Sequence, residues 1–511
     1  MKLAMITGAS LLALTVGAPA LSDPGEDRIA ELEARIEQLE ETNRRLLDYL
    51  EAQGALDPRA PAATAAPARD LTHTAARETD DPEVLTRPEA APGAEPSRTL
   101  GDQFVGMNSA YSFAMLDHAE TTNTRQLVQL RAIQSGELNN RVTLGGEITV
   151  LADYQESNSN TKFGWLMRHP TSANQIGETV SEFVIHNAQI AVTGRLTNDI
   201  TSYVELLYDP EQSFGSGTLT DLNRNQIQLR RGWVMWGNLD ERPVYVAVGK
   251  MDTPFGLNDT VSPFTNSTNW HAFAGLAYGG LAGYYNNGLH LRAMAIQGGA
   301  QFRAHNAPVE DTAVPSRVNN FALDANYTAA LDAGSVMVGA SYTHASAYCQ
   351  AYPVFHFNPC DDNNPAWAVY SRAELGAFEF LAEYGSTTDA WPGTASPVPF
   401  YTQFEAVKAE SFTLGGRYWM TLHREDDFAL SADFSRFISG DDGAPWERQD
   451  QYVLGASYFV VPNVNLFGEI IHTKGWVPLN FLSGGNFANG TSWSESDAET
   501  NVIAVGVQAA F

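Results

Sequence analysis

The segment Thr500–Phe511 reads TNVIAVGVQAAF. Ile503, Val505, Val507, Ala509 and Phe511 share one parity, and Val502, Ala504, Gly506, Gln508 and Ala510 share the other. Successive side chains of a strand point to opposite faces, so one face here is apolar throughout and the other is small or polar. A strand so patterned at the end of a chain is expected to lie with its oily face against lipid and to close a sheet edge on a partner strand.

The same period of two starts near residue 141. In RVTLGGEITVLADYQ, Val142, Leu144, Ile148 and Val150 oppose Arg141, Thr143, Glu147, Thr149 and Asp153. In NFALDANYT, Phe321, Leu323, Ala325 and Tyr327 oppose Asn320, Asp324 and Asn326; in SFTLGGRYWM, Phe412, Leu414, Tyr418 and Met420 oppose Ser411, Thr413, Arg417 and Trp419. DFALSADFSRF sets Phe428, Leu430, Ala432 and Phe434 against Ser431, Asp433 and Ser435. A soluble β-sandwich would alternate too. The runs, however, extend over roughly nine to thirteen residues, the length of a tilted membrane crossing, where sandwich strands have about five or six. Aromatics also gather near the ends of apolar faces, in GWVMWG, RYWM and YFVVP, where interfacial girdles lie. The expected fold is all-β, a transmembrane antiparallel β-barrel of about 16 strands over residues 141–511.

The opening MKLAMITGASLLALTVGAPALS carries Lys2, an apolar run to Val16 and small residues at Ala18, Ala20 and Ser22, the layout of a signal peptide over residues 1–22. Its apolar run is short for a membrane anchor. Residues 23–53 place Ile29, Leu32, Ile36, Leu39, Asn43, Leu46 and Leu50 at alternating spacings of three and four, the a and d positions of a coiled coil. A single amphipathic helix is the plainer alternative. Ile at a with Leu at d favours a parallel dimer, but so short a coil is expected to follow the symmetry of the barrel it serves, most simply a trimer. Residues 54–100 mix Pro, Ala and charge without hydrophobic period and read as a disordered linker. Residues 101–140 hold the helix-prone TRQLVQLRAIQSGEL, a pre-barrel segment that lines or plugs the pore entrance or only bridges to it.

A net charge of −29 argues against a nucleic-acid partner, whose phosphates would be repelled. The hydrophobic fraction of 44%, the 11% aromatics and the 42 glycines fit many short strands. Cys349 and Cys360 are the only cysteines; they flank a turn-rich stretch of an exported chain and read as one loop disulfide, with two free thiols as the alternative, and their gap matches no zinc or redox motif. No cofactor or metal motif is present.

The phrases SGELNNRVTLGGEI and VYVAVGKMDTPFGLNDTVSPFT, with the signal peptide, short coil and Pro/Ala linker before them, resemble outer-membrane porins of the siderophore-uptake (LbtU) type. The coil also resembles that of trimeric dicarboxylate porins. The resemblance implies a bacterial outer-membrane porin with its coil in the periplasm, passing siderophores or carboxylates passively.

Inside such a barrel the polar parity would meet the solute. Arg195, Arg230, Arg292 and Arg417, with Glu147, Asp324 and Asp433, are the pore-lining candidates. Opposed charges across a lumen orient polar solutes, and an arginine ring would favour anions. The plainer alternative is that these are ordinary solvated lumen residues, and no buried ion pair is presumed among them. Lys250 lies in a strand apolar on both parities and has no assigned side. Five lysines in the whole chain speak against a lysine-lined phosphate channel. Two other classes stand beside the porin: a structural barrel tethering the membrane to the cell wall, and a barrel enzyme. For the latter, His271 and His472 are the histidines near aromatics, but no Ser/His/Asp spacing supports them.

Overall fold

The computed structural model describes residues 104–115, 123–159, 164–165, 177–208, 227–298, 317–346, 364–390, 403–475 and 496–511. The expected signal peptide, coiled coil, linker and Cys349–Cys360 pair lie outside the described residues.

Sixteen strands, each long enough to cross a bilayer, follow one another as β2 (Val142–Ser157), β3 (Thr179–Arg195), β4 (Ile200–Tyr208), β5 (Ile227–Gly237), β6 (Val244–Asp252), β7 (Leu276–Asn286), β8 (Leu289–Gln297) and β9 (Val318–Leu331), then β10 (Gly334–Thr343), β11 (Ala366–Leu375), β12 (Phe378–Thr387), β13 (Glu410–Met420), β14 (Phe428–Ile438), β15 (Arg448–Val461), β16 (Val464–Lys474) and β17 (Glu499–Ala510). Each pairs antiparallel with the next, and β17 returns to β2 from Thr500↔Ser157 to Ala510↔Glu147, so the sheet is a closed barrel. No edge is left to pair with another chain. Before the barrel come a short β1 (Val105–Met107) and two helices, α1 (Ser109–Met115) and α2 (Arg125–Gln134). β1 lies parallel to Val142–Leu144 and so occupies the β2 edge just beyond the end of β17.

Strand-to-strand connections alternate in length. Those after β3, β5, β7 and the later odd-numbered strands have two to seven residues, and those after the even-numbered strands have nine to twenty-four. At Asn287-Gly288 both residues have positive φ, the turn that matches the right-handed twist of a two-residue hairpin. β2 and β3, at 16 and 17 residues, exceed the expected crossing length. A tilted strand needs only about ten residues in hydrocarbon, and the surplus carries the pair into the long connection between them.

The barrel is inside-out relative to a soluble protein. On β17, Ile503 and Val505 are 57% and 52% exposed, while Val502 and Ala504 are 1% and 0%. Across the barrel the outward residues are apolar or aromatic, among them Leu144, Phe183, Val248, Tyr327, Phe380, Leu454 and Ile470, and the buried inward ones include Glu147, Asp153, Arg231, Asp324, Arg417 and Glu469. In water that outer face would be untenable. Against hydrocarbon it is the low-energy surface, and a closed sheet satisfies every backbone group without water. The fold defines a membrane-spanning β-barrel.

Candidate functional site

The lumen is the candidate site, and two segments of the chain enter it. The first is α1 with α2. Val128, Leu130 and Ala132 of α2, with Tyr111 and Met115 of α1, form one apolar cluster with the lumenal faces of Tyr203, Trp233, Met235, Tyr245, Met251 and Met294. Each large side chain so buried contributes about 1.5–3 kcal/mol. This half of the inner wall, on β4 to β8, is as apolar as a soluble core because it has a helix to bury.

Polar contacts fix the register of that packing. Arg231 binds Asp252 through Nε and Nη2 at 2.8 and 2.9 Å, and reaches Glu205 through Nη1 at 2.8 Å. Arg125, at the start of α2, donates to the same Asp252 at 3.1 Å and to the Met115 carbonyl at 2.6 Å. Tyr203 donates to Glu205 and stacks on Trp233, whose Nε1 donates to Gln129 of α2 at 3.0 Å. Tyr111 meets Thr193, and Arg195 donates to the Leu138 carbonyl at 2.7 Å. Breaking one partner from such a buried set leaves an uncompensated charge, a loss of about 3–5 kcal/mol.

The second segment is the connection 253–275 between β6 and β7, which contains α3 (Thr268–Phe273), N-capped by Ser267. It folds inward across the faces of β10 to β17. Wall carboxylates accept its backbone N–H groups: Glu383 from Leu257 and Asn258, both at 2.8 Å, and Glu469 from Phe264 and Thr265 at 2.8 and 2.9 Å. Asp433 accepts from the Thr260 hydroxyl at 3.4 Å. Arg417 donates to the Val261 carbonyl at 2.9 Å, and Arg372 pairs with Asp259. A loop drawn into an interior must satisfy its backbone groups, and here the wall's charged side chains do so. Gly256 and Asn258 take left-handed φ values of 62° and 51°. A Cβ at Gly256 would stand 2.1 Å from Glu383 Oε1 and would displace that carboxylate, and the left-handed backbone itself favours glycine. Further along, Phe264 stacks on Phe467 of β16 with centroids 5.0 Å apart.

The two inserted segments meet. Asn123, just before α2, donates to the carbonyls of Phe255 and Gly256. Arg292 donates to the Asn123 carbonyl and side chain and also binds Asp324, which accepts from Ser341 at 2.7 Å and from Tyr370 at 2.5 Å.

All seven pore-lining candidates are buried within the barrel, but they are not equivalent. Arg292 and Asp324 are a cross-strand pair, and Arg417 faces Glu379 across β12 and β13 at 3.1 Å. Buried ion pairs therefore exist where none was presumed. Inward parity is visible in sequence, whereas the register that sets one charge opposite another is not. Arg195 holds a carbonyl of the pre-barrel segment, and Asp433 faces the inward loop. Arg230 sits at a bulge where β5 gains a residue against β4, so that Arg230 and Arg231 are both buried. Glu147 accepts from Thr149 at 3.0 Å. The reading missed Arg125, Glu205, Arg231, Asp252, Glu383 and Glu469; the Arg230-Arg231 doublet in an otherwise alternating strand was the visible signal. Lys250 has the outward register of Val246 and Val248, donates to the Leu229 carbonyl and lies over the Tyr278 ring. His271 lies edge-on to Trp270 in α3, while His472 bonds Asn501 across β16 and β17.

No family model and no curated protein matches this chain. Among solved structures it is similar to Pseudomonas putida OprB at high pH (10% identity over 72% of this chain and 94% of that one, TM-score 0.44). It is also similar to OmpT of Vibrio cholerae (10%, 73% and 98%, TM-score 0.42) and to Salmonella typhi OmpF in complex with daunomycin (12%, 72% and 97%, TM-score 0.42).

Proposed function

We propose that the chain is a porin of the bacterial outer membrane that passes small polar solutes passively through a lumen narrowed by α1–α2 on one side and residues 253–275 on the other. The observation that carries this is the closed sixteen-strand barrel with an apolar outside and a charged, amide-rich inside. A wall of that size encloses a channel unless it is filled. The short connections, shared with both ends of the barrel, belong on the periplasmic side and the long ones outside. The heptads at 29–50 support a parallel oligomer with its coil in the periplasm, and the barrel to which they are joined favours a trimer. Carboxylate-bearing solutes, siderophores among them, are the cargo implied by the sequence resemblance; the pairing of Arg292 with Asp324 and of Arg417 with Glu379 weighs against an anion-selective ring.

One observation favours a second reading. The apolar half of the lumen is covered by α1 and α2 in one buried cluster, as in a sealed barrel serving only as a membrane tether. Conductance of the purified protein in a planar bilayer decides between them. Stepwise ohmic currents are expected, and a folded, inserted barrel that stays silent would overturn the porin.

A further inference from the structure

We infer that the inner wall of β11 to β15, at the end of the barrel that carries the short connections, holds a binding site for an organic cation: an amine with a flat apolar body, its ammonium at the Glu374 and Glu379 carboxylates and its body on a shelf made by Trp419 and Phe459. Such a site serves a conducting and a sealed barrel alike, so it goes beyond the porin reading.

Strand register assembles the charges. Glu374 of β11 pairs with Glu379 of β12, and Glu379 with Arg417 of β13. Two carboxylates directly opposite each other repel, which destabilises the pairing unless cations are brought in. Arg372 supplies one: its Nη2 lies 2.5 Å from Glu379 Oε1 and its Nε 3.6 Å from Glu374 Oε1, while Nη1 donates to Asp259 of the inward loop at 3.1 Å. Arg417 reaches the other oxygen of Glu379 at 3.1 Å. Among the described residues, then, Glu374, Glu379 and Asp259 share two guanidiniums, an excess of one negative charge. The turn between β13 and β14 sets Glu425, Asp426 and Asp427 against Arg424 alone, and the whole chain carries −29. An approaching anion is repelled at every one of these scales and a cation is drawn in.

Aromatic rings continue from the charges. Arg417 lies over the Trp419 ring, 5.4 Å from its centroid; Trp419 meets Phe459 at 6.1 Å, and Phe459 meets Phe113 of α1 at 6.0 Å. Ala429, which pairs with Trp419 on the strand between, is small enough for the rings to meet across it. The wall thus already holds one cation, that of Arg417, between a carboxylate and an indole, and such a contact contributes about 0.5–1 kcal/mol where exposed and about 2 where desolvated. The place also admits solvent. The side chains of Arg372 and Glu374 are 14% and 16% exposed, and all three rings are half-buried. Beside them on β10, Met337 opposite Arg372 and Ser335 opposite Glu374 are half-buried, whereas Glu383 and Glu469, which hold the inward loop, are each 2% exposed. Glu374 and Trp419 sit two strands apart and two residues along, so their Cα atoms are roughly 12 Å from each other. Two long side chains with a phenyl ring and a short amine arm between them cover that span. A bare metal ion could use the carboxylates but would gain nothing from the shelf.

The test is equilibrium binding to the full-length protein in detergent, a readout separate from conduction. 2-Phenylethylamine, 3-phenylpropionate and ammonium chloride are titrated calorimetrically into the parent, Glu374→Gln and Trp419→Leu, each checked for heat-modifiable mobility as a sign of a folded barrel. The parent should bind phenylethylammonium saturably, ammonium several-fold more weakly and phenylpropionate not at all. Glu374→Gln and Trp419→Leu should each weaken phenylethylammonium several-fold. The comparison of amine with carboxylate in the parent decides even where a variant fails to fold. Lack of saturable amine binding, equal binding of phenylpropionate, or affinity undiminished in both folded variants would overturn the site.

Discussion

Replacing Gly256 by Ala tests whether the inward loop is held by the wall. The new Cβ would stand 2.1 Å from Glu383 Oε1 while the residue remains at φ 62°. The left-handed conformation alone costs an alanine about 1–2 kcal/mol. The carboxylate can retreat only by lengthening its bonds to the Leu257 and Asn258 N–H groups, and a hydrogen bond to a charged group contributes about 1.5–3 kcal/mol. Losing one of the two, with the backbone strain, comes to about 2.5–5 kcal/mol, or at least about fiftyfold in the local occupancy of the tethered state. The barrel should fold as before, because its strand pairing and lipid-facing surface are untouched. Single-channel recordings should show raised open-channel noise and added conductance sublevels, and limited proteolysis should cut within residues 253–260 several-fold faster. If noise and cleavage both match the parent in a protein with unchanged heat-modifiable mobility, the Glu383 tether does not hold the loop.

Four further outcomes are expected. Asp252→Asn removes the charge shared by Arg125 and Arg231, and by the cost of a broken buried pair it should weaken the docking of α2 by about 3–5 kcal/mol, read as faster amide exchange across residues 125–134; unchanged exchange would refute the clamp. Arg417→Ser breaks the bonds to Glu379 and the Val261 carbonyl, so its first effect should be loop noise like that of Gly256→Ala, with any change in reversal potential secondary; a pure selectivity shift without noise would restore the arginine as a solute contact. In the turn before β14, burial alone would raise the Asp427 carboxyl, but N–H groups of Leu422, His423 and Arg424 outweigh it and hold the group below its ordinary range. That depressed value adds stability above the unfolded aspartate range and loses it as pH falls through the folded value, so the protection factors of those three amides, taken against the intrinsic exchange rate at each pH, should fall on acidification in the parent and not in Asp427→Asn. Cross-linking of Leu46→Cys with a three-armed maleimide should give trimers from native membranes, and products that stop at the dimer would refute the trimer expected from the barrel.

The barrel was legible in the sequence because lipid outside and polar groups inside impose a strict period of two on each strand. Phe412, Leu414 and Tyr418 against Ser411, Thr413 and Arg417 needed no register to read. The site was legible only in part. Parity placed Arg292 and Arg417 inside, but their roles depend on Asp324 and Glu379 directly across a strand boundary, and register is a property of two strands together. The inward path of residues 253–275 leaves no periodic trace, since its groups are satisfied by carboxylates distant in sequence, of which Glu469 is an example. TRQLVQLRAIQ was visible as a helix, but its lumenal berth became intelligible only with Trp233, Met235 and Tyr245, inward residues too apolar for a wet channel.

The β17–β2 seam joins the two barrel strands most distant in sequence, so closing the ring carries the largest chain-entropy cost of any pairing in the wall. α1 and α2 precede β2 and lie within that ring. The β2–β9 half with α2 on its concave side is already a helix-on-sheet layer with a core of its own, complete before the last strand is needed. The helix thus buries its apolar face against the first half of the wall without a residue from β10 to β17.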